Sequence, residues 1–177
     1  MLLLIDIQVG FNDPVWGKRN NPLFEQNIAR LLEDWRRLSR PIIHVQHHST
    51  ETLSPLRPNQ SGVGFMEVAK PWSSEPVITK AVNSAFIGTN LEANLRELGA
   101  HTVVVAGLTT DHCVSTSVRM AKNLGFEVIV AEDATATFDR RLPDGTMYES
   151  ELVHRVSLAS LNREFADIRP VDEITRN

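Results

Sequence analysis

The fold is indicated most clearly by residues 101–133, "HTVVVAGLTTDHCVSTSVRMAKNLGFEVIVAED". An apolar run at 101–108 precedes a short polar turn, and a helical stretch then ends at Gly125 before a second apolar run. Continuous apolar runs of this length are typical of parallel strands buried on both faces, and glycine commonly ends a helix. The segment therefore predicts a strand, a helix and a second, parallel strand.

The same alternation extends along the rest of the chain. Further strands are predicted at 2–7, 41–46, 76–80 and 166–171, and further helices at 20–39, 89–100 and 147–165. In the first helix, Asn21 is the candidate N-cap and Pro22 fits the first helical position. The alternation predicts an α/β fold of three αβα layers: a Rossmann-like, mostly parallel sheet of about six strands with helices on both faces.

Length and composition narrow the classes of protein that need to be considered. The 177 residues are the size of one domain, so we expect residues 1–177 to form a single domain. The net charge of −4 gives no support to binding of nucleic acid or anionic membranes, which favour basic patches. No apolar run approaches the roughly 20 residues of a membrane span. The single cysteine cannot form an internal disulfide, so we expect the protein to be located in the reducing cytoplasm.

Three residues that can carry chemistry lie at or just beyond the carboxyl ends of predicted strands. They are Asp6, Lys80 and Cys113. Because ligands of parallel α/β sheets bind at the carboxyl ends of the strands, all three are expected to open into one crevice.

Each of these residues has a functional and a purely structural interpretation. Cys113 lies where a helix begins, which favours a lowered thiol pKa, and Asp6 can take the thiol proton if dry surroundings raise its basicity. Lys80 would hold both anions in place. A lone cysteine is, however, more often a small core residue, and Lys80 alone would be a solvated strand end. A buried aspartate is harder to dismiss, since an unpaired buried charge is costly.

Three stretches together resemble one known family. They are "LLLIDIQVGF" (2–11), "TKAVNSAFIGTNLEANLRELG" (79–99) and "VVVAGLTTDHCVSTSVRMAKNLGFEVIVAEDATATFD" (103–139). In this order they are similar to the isochorismatase-like cysteine hydrolases, which include nicotinamidases, N-carbamoylsarcosine amidases, ureidoacrylate amidohydrolases and isochorismatase. The resemblance covers nearly the whole chain.

The resemblance implies the residues that would act on substrate. It implies a catalytic triad of Asp6, Lys80 and Cys113, and a non-proline cis peptide between Leu108 and Thr109. It also implies that the backbone N–H groups of Thr109 and Cys113 form an oxyanion hole. The implied activity is hydrolysis of an amide-type C–N bond of a small molecule through a thioester on Cys113.

Other functions are weighed on specific residues. Isochorismatases cleave a vinyl ether without a thiol, so Cys113 favours a carbonyl hydrolase but does not exclude the vinyl ether reaction. A catalytically idle relative that binds a ligand or partner has no reason to keep all three triad residues. A nucleotide-binding Rossmann module is disfavoured because "DIQVGF" replaces the glycine-rich loop. A thiol redox protein would lack a resolving cysteine.

A metal site is not expected. Nicotinamidases carry one after the second strand, built from an aspartate and two histidines with Asp-x-His spacing. The matching segment here, "HVQHHSTETLS" (44–54), contains His44, His47 and His48 but no aspartate. We therefore expect no metal and no other cofactor, and leave open whether His47 and His48 line the pocket or face solvent.

The contacts to substrate are predicted from position alone. Phe11 and Trp16 follow the first strand and would either wall an apolar pocket or pack in the core. His112 precedes Cys113 and lies either at the pocket mouth or on the surface. Residues 47–76, a long polar segment, are expected to supply pocket walls. Members of the family form dimers and tetramers, so the resemblance implies a homodimer or homotetramer whose ligand is a small-molecule substrate.

Overall fold

Six parallel strands form the central sheet of the computed structural model, which describes residues 1–176. The described residues contain eight strands in all, two of them outside this sheet. In chain order they are β1 (Leu2–Ile5), β2 (Ile42–His47), β3 (Val77–Lys80), β4 (Thr102–Leu108), β5 (Glu127–Ala136), β6 (Arg140–Arg141), β7 (Met147–Tyr148) and β8 (Asp167–Arg169). The central sheet has the order β3-β2-β1-β4-β5-β8, and β6 and β7 form a separate antiparallel pair. The strand order changes direction between β1 and β4, which is where open α/β sheets bind ligands.

Helices cover both faces of this sheet. They are α1 (Phe24–Arg37), α2 (Leu91–Glu97), α3 (Ser115–Asn123), α4 (Ser150–Leu161) and α5 (Val171–Ile174). The apolar side chains of α1 and α5 pack on one face, and those of α2, α3 and α4 pack on the other. The predicted three-layer αβα architecture is confirmed. Within residues 1–176 no helix combines the length and apolar character needed to cross a membrane.

The strand β1 shows why its sequence is apolar at every position. Successive side chains of a strand point to opposite faces, so Leu2 and Leu4 pack against α1 while Leu3 and Ile5 join the core on the other face. All four side chains are almost completely buried. Burying each such side chain contributes about 1.5–3 kcal/mol, so this strand stabilises both core layers at once.

The start of α1 differs from its prediction. The helix begins at Phe24, and its N-cap position, Leu23, makes no side-chain capping bond. Asn21 has a positive φ of 51°, and its side-chain amide donates to the backbone oxygens of Asp133 (2.7 Å) and Thr135 (2.9 Å). The predicted N-cap role of Asn21 is therefore wrong, because its side chain ties the chain to β5 instead of to the helix.

The predicted helix at 147–165 also begins later, at Ser150. Met147 and Tyr148 pair with Arg140 and Arg141 in the short hairpin of β6 and β7. The turn Asp144-Gly145 lies between these strands, and Gly145 takes a φ of 89°, which L residues rarely adopt. The hairpin places Arg140 beside the residues that follow β4, since its guanidinium contacts Thr109 and Asp111.

Gly107 allows β4 to pass close to β1. A Cβ atom at this position would lie 2.0 Å from the backbone oxygen of Ile5, and the residue has a φ of 129°. Both observations exclude a larger residue. Because Gly107 pairs with Ile5, this close approach brings together the two chain segments that continue into Asp6 and Thr109.

We expect Gly107→Ala to lower the free energy of unfolding by about 3 kcal/mol or more, because the methyl group forces the two strands apart. Gly88→Ala is the matched control. Gly88 also has a positive φ, of 70°, but a Cβ there meets nothing within 4 Å, so its loss should be about 1 kcal/mol. Urea denaturation measures both values. Equal losses for the two variants would show that the close approach of β4 to β1 is unimportant.

Candidate active site

Asp6, Lys80 and Cys113 meet at the carboxyl edge of the sheet. Asp6 directly follows β1, Lys80 is the last residue of β3, and Cys113 lies in a helical turn after β4. The ammonium Nζ of Lys80 is 2.7 Å from Asp6 Oδ2 and 3.3 Å from Cys113 Sγ. The residues are 0%, 2% and 8% exposed, in the order Asp6, Lys80, Cys113. The sequence placed these residues at one edge, and the structure brings them into direct contact.

The ammonium group of Lys80 has more acceptors than protons. Besides Asp6 and Cys113, its Nζ is 3.1 Å from His47 Nδ1 and 3.1 Å from the backbone oxygen of Val82. An ammonium group has three N–H donors. Since four acceptors lie within reach of three donors, the carboxylate of Asp6 and the sulfur of Cys113 can share one N–H. The ammonium can therefore stabilise negative charge on either group.

Burial dominates the acid–base behaviour of the site. It raises the pKa of Asp6, although the charge and hydrogen bond of Lys80 and the hydrogen bond with Cys113 act in the opposite direction. Burial, followed by the negative charge of Asp6, raises the pKa of the Cys113 thiol, and Lys80 offsets this only in part. The expectation of a lowered thiol pKa from the helix N-terminus is therefore wrong. Asp6 is therefore a stronger base than an exposed aspartate, and the thiol of Cys113 is a weaker acid than an exposed cysteine.

The backbone of Asp6 is in an unusual conformation for a residue with a side chain. Its φ is 52°, in the left-handed region, where a non-glycine residue costs roughly 1–2 kcal/mol. Its N–H donates to the backbone oxygen of Val45 (3.0 Å), and its oxygen accepts from the N–H of Gln8 (2.9 Å). These bonds hold the chain as it turns at the end of β1.

Cys113 lies within a short π-helical turn, Thr110–Val114, and the preceding peptide bond between Leu108 and Thr109 is cis. The backbone oxygen of Thr109 accepts the N–H groups of His112 (3.1 Å) and Val114 (3.2 Å). The N–H of Cys113, which an α-helix would pair with this oxygen, is thereby left without that acceptor. Single π turns occur frequently at functional sites.

A cavity of about 370 Å³ opens above the thiol. Cys113 and Thr109 line this cavity, together with six residues of the segment 49–56. The predicted contribution of the long polar segment to the pocket is thus present in the structure. A volume of this size suits a small organic molecule.

All three predicted substrate contacts line this cavity. The rings of Phe11 and Trp16 lie 5.2 Å apart, and the indole N–H of Trp16 donates to the backbone oxygen of Gly10 (2.8 Å). Phe11 also stacks on Phe138 with ring centroids 6.0 Å apart, so it belongs to the core as well as to the wall. The His112 side chain is 54% exposed, and its Nε2 is 3.3 Å from Asp111 Oδ2.

No sequence pattern singled out Arg140, which also lines the cavity. Its guanidinium binds Asp111 through two nitrogens, at 2.6 and 3.0 Å, and its Nη2 is 3.4 Å from Thr109 Oγ1. Although burial acts to raise it, the hydrogen bonds from Arg140 and Thr137 lower the pKa of Asp111 to about 2. The pair joins the π turn to the hairpin of β6 and β7, a contact between residues 29 positions apart.

The three histidines in and directly after the second strand have different partners. His44 is fully buried, and its Nε2 lies 2.8 Å from Glu75 Oε2. His47 contacts Lys80 and lines the cavity, whereas Nε2 of His48 lies 3.0 Å from Gln46 Oε1. Within residues 1–176 no group of three or more His, Cys, Asp or Glu side chains is arranged to hold a metal ion.

Comparison with known proteins shows the family of this chain. The family model described as the isochorismatase domain matches residues 1–172. The isochorismatase family protein YrdC of Bacillus subtilis is 45% identical over 98% of this chain and 92% of YrdC. Nicotinamidase 3 of Arabidopsis thaliana is 38% identical over 82% of this chain and 77% of its own length.

A solved structure agrees with these sequence matches. The crystal structure of a hydrolase of the isochorismatase family from Chromobacterium violaceum has a TM-score of 0.94 and 46% identity to this chain, covering 98% of this chain and 90% of that one. The match therefore extends over nearly the full length in both sequence and fold. The predicted family is confirmed, and the chain belongs to the isochorismatase family of hydrolases.

Proposed function

We propose that this protein hydrolyses an amide-type C–N bond of a small molecule through a thioester on Cys113. The observation that carries the proposal is the position of the Cys113 thiol, which contacts Lys80 beside a buried carboxylate and borders the cavity. The similarity to nicotinamidase 3 of Arabidopsis thaliana supports an amide as the substrate class. The Asp6-Lys80-Cys113 triad is part of this proposal.

The first step is transfer of the thiol proton to Asp6. Since burial raises the pKa of Asp6, its carboxylate is a stronger base than an exposed aspartate. As the proton moves, the negative charge passes from the carboxylate to the sulfur. Lys80 contacts both groups, at 2.7 and 3.3 Å, and so remains beside the negative charge throughout.

In the second step the sulfur bonds to the amide carbon, and the carbonyl electron pair moves onto the oxygen. The backbone N–H groups of Thr109 and Cys113 are proposed to donate to this oxyanion. Donors of this kind contribute about 3 kcal/mol each in comparable sites. The nitrogen then takes the proton from Asp6, the C–N bond breaks, and the amine leaves a thioester on Cys113.

Hydrolysis of the thioester completes the cycle. A water molecule gives one proton to the Asp6 carboxylate while its oxygen bonds to the thioester carbon. Collapse of the second tetrahedral intermediate breaks the C–S bond, and the proton returns from Asp6 to the sulfur. The product is a carboxylic acid, or a carbamic acid from a ureido substrate. The thiol and carboxylate are both restored.

Two expectations from the sequence stay predictions at this point. One is assembly into a homodimer or homotetramer, and the other is a cytoplasmic location. Val15 and Leu53 border the cavity although they are 70% and 94% exposed, which supports the proposal that a neighbouring subunit completes the wall.

Replacing the proposed nucleophile tests the function directly. Cys113→Ala should reduce ammonia release from small primary amides, ureido acids and nicotinamide at least 1,000-fold, because no thioester can form. Ser115→Ala, which removes one oxygen from the start of α3, is the control and should retain activity. Ammonia release that survives in Cys113→Ala would contradict the proposal. Cleavage of a vinyl ether by that same variant would support the isochorismatase-type reaction instead.

Replacing Asp6, the proposed base, should have opposite effects on the rate of Cys113 alkylation and the rate of amide turnover. Asp6→Asn removes the negative charge that raises the pKa of Cys113 and leaves Lys80 beside the sulfur. Alkylation of Cys113 by iodoacetamide should therefore shift to lower pH, while amide turnover falls about 100-fold or more. Asp144→Asn, at a fully exposed carboxylate, is the charge-matched control. Amide turnover by Asp6→Asn at the wild-type rate would show that Asp6 is not the base.

A further inference from the structure

His47 lies where the buried charges meet the cavity. It is the last residue of β2, and its register partner in β3 is Lys80. Its Nδ1 is 3.1 Å from Nζ of Lys80, and the residue lines the cavity above Cys113. The reaction proposed above assigns no role to this imidazole.

The backbone of His47 is held on both sides by one buried side chain. The amide nitrogen of Gln8 donates to the backbone oxygen of His47 (3.0 Å), and the N–H of His47 donates to the amide oxygen of Gln8 (2.8 Å). Gln8 is fully buried, and its amide also binds the backbone oxygen of Val63 (2.9 Å). The imidazole therefore projects from a fixed point of the main chain.

The contact with Lys80 determines which ring nitrogen carries the proton. An ammonium group only donates hydrogen bonds, so Nδ1 of His47 must be the acceptor. Burial, followed by the positive charges of Lys80 and His48, lowers the pKa of His47 to about 4. The ring is therefore neutral near pH 7, and a neutral imidazole that accepts at Nδ1 carries its proton on Nε2.

The N–H at Nε2 is available to a ligand. Within the described residues, 1–176, Nε2 of His47 makes no hydrogen bond, and it is not among the side-chain atoms that are sealed from solvent without a partner. Arg140, which also lines the cavity and is a donor, already has two of its nitrogens bound to Asp111. His47 is thus an unoccupied donor that lies next to the triad.

We propose that His47 determines substrate specificity: Lys80 fixes its Nε2–H tautomer, and this N–H donates a hydrogen bond to an acceptor atom of the bound amide. The proposal rests on the amidase function and narrows its substrate class. The preferred amides carry a second acceptor, such as a ring nitrogen or a carbonyl oxygen, close to the scissile group. Amides with only hydrocarbon beside the scissile group would leave the donor unpaired in a partly buried site and bind more weakly.

Binding to a variant that cannot turn over tests the donor. In the Cys113→Ala background, benzamide is compared with the three pyridinecarboxamide isomers, which keep its shape but place one nitrogen acceptor at different ring positions. We expect at least one isomer to bind about fivefold to tenfold more tightly than benzamide, the preference that one hydrogen bond gives. Isothermal titration measures the dissociation constants.

Two asparagine variants separate the donor from its surroundings. Adding His47→Asn should reduce the isomer preference to about one, because the asparagine oxygen can still accept from Lys80 but the donor at the Nε2 position is lost. His48→Asn, one residue further along and facing Gln46, should leave the preference unchanged. A preference that is absent in the parent, or that persists in His47→Asn, would overturn the proposal.

A second readout requires no ligand. Nitrogen-15 NMR of the His47 imidazole near pH 7 should show protonated Nε2 and unprotonated Nδ1, and the reverse pattern or an imidazolium would overturn the assignment. Neither measurement needs turnover. If the isomer preference is present but the wild type releases no ammonia, the amidase proposal fails alone. If turnover depends on Cys113 but no isomer is preferred, the role of His47 fails alone.

Discussion

The ion pair between Lys80 and Asp6 is the constraint on which the site depends. Both groups are removed from water, and each would be costly there without the other. Removing one partner of such a pair typically costs about 3–5 kcal/mol, since the remaining charge is left uncompensated. The pair also joins the ends of β1 and β3 across β2, so the geometry of the proposed chemistry and the stability of this sheet edge rest on the same two residues.

The surroundings of this ion pair turn an ordinary thiol into a candidate nucleophile without storing it as a thiolate. Burial raises the pKa values of both Asp6 and Cys113, which makes the carboxylate a stronger base and the thiol a weaker acid. In the proposed reaction, activation depends on one proton transfer from Cys113 to Asp6, and Lys80 contacts both groups. His47 accepts one of the ammonium protons and so helps to fix the orientation of the amine.

Much of this arrangement follows from local sequence patterns. Continuous apolar runs marked the strands, and the rule that ligands bind at the carboxyl ends of parallel strands placed Asp6, Lys80 and Cys113 in one crevice. Features that depend on distant contacts were not predictable. Asn21 resembled a helix cap in the sequence, but its side chain bonds to β5. That contact could not be predicted, because it joins residues more than 110 positions apart. The pKa of Cys113 was predicted in the wrong direction, since burial cannot be read from the helix start alone.

The proposed hydrolysis proceeds through an acyl group bound to Cys113. Rapid acid quenching during turnover of a small amide, followed by mass spectrometry of the intact protein and its peptides, measures this intermediate. We expect a mass increase equal to the acyl group, located on the peptide that contains Cys113, and we expect hydroxylamine to remove it as it removes other thioesters. The contrary result is an amide that is hydrolysed at its normal rate with no adduct on Cys113, or with the adduct on another residue. The quench must be fast enough to sample each turnover.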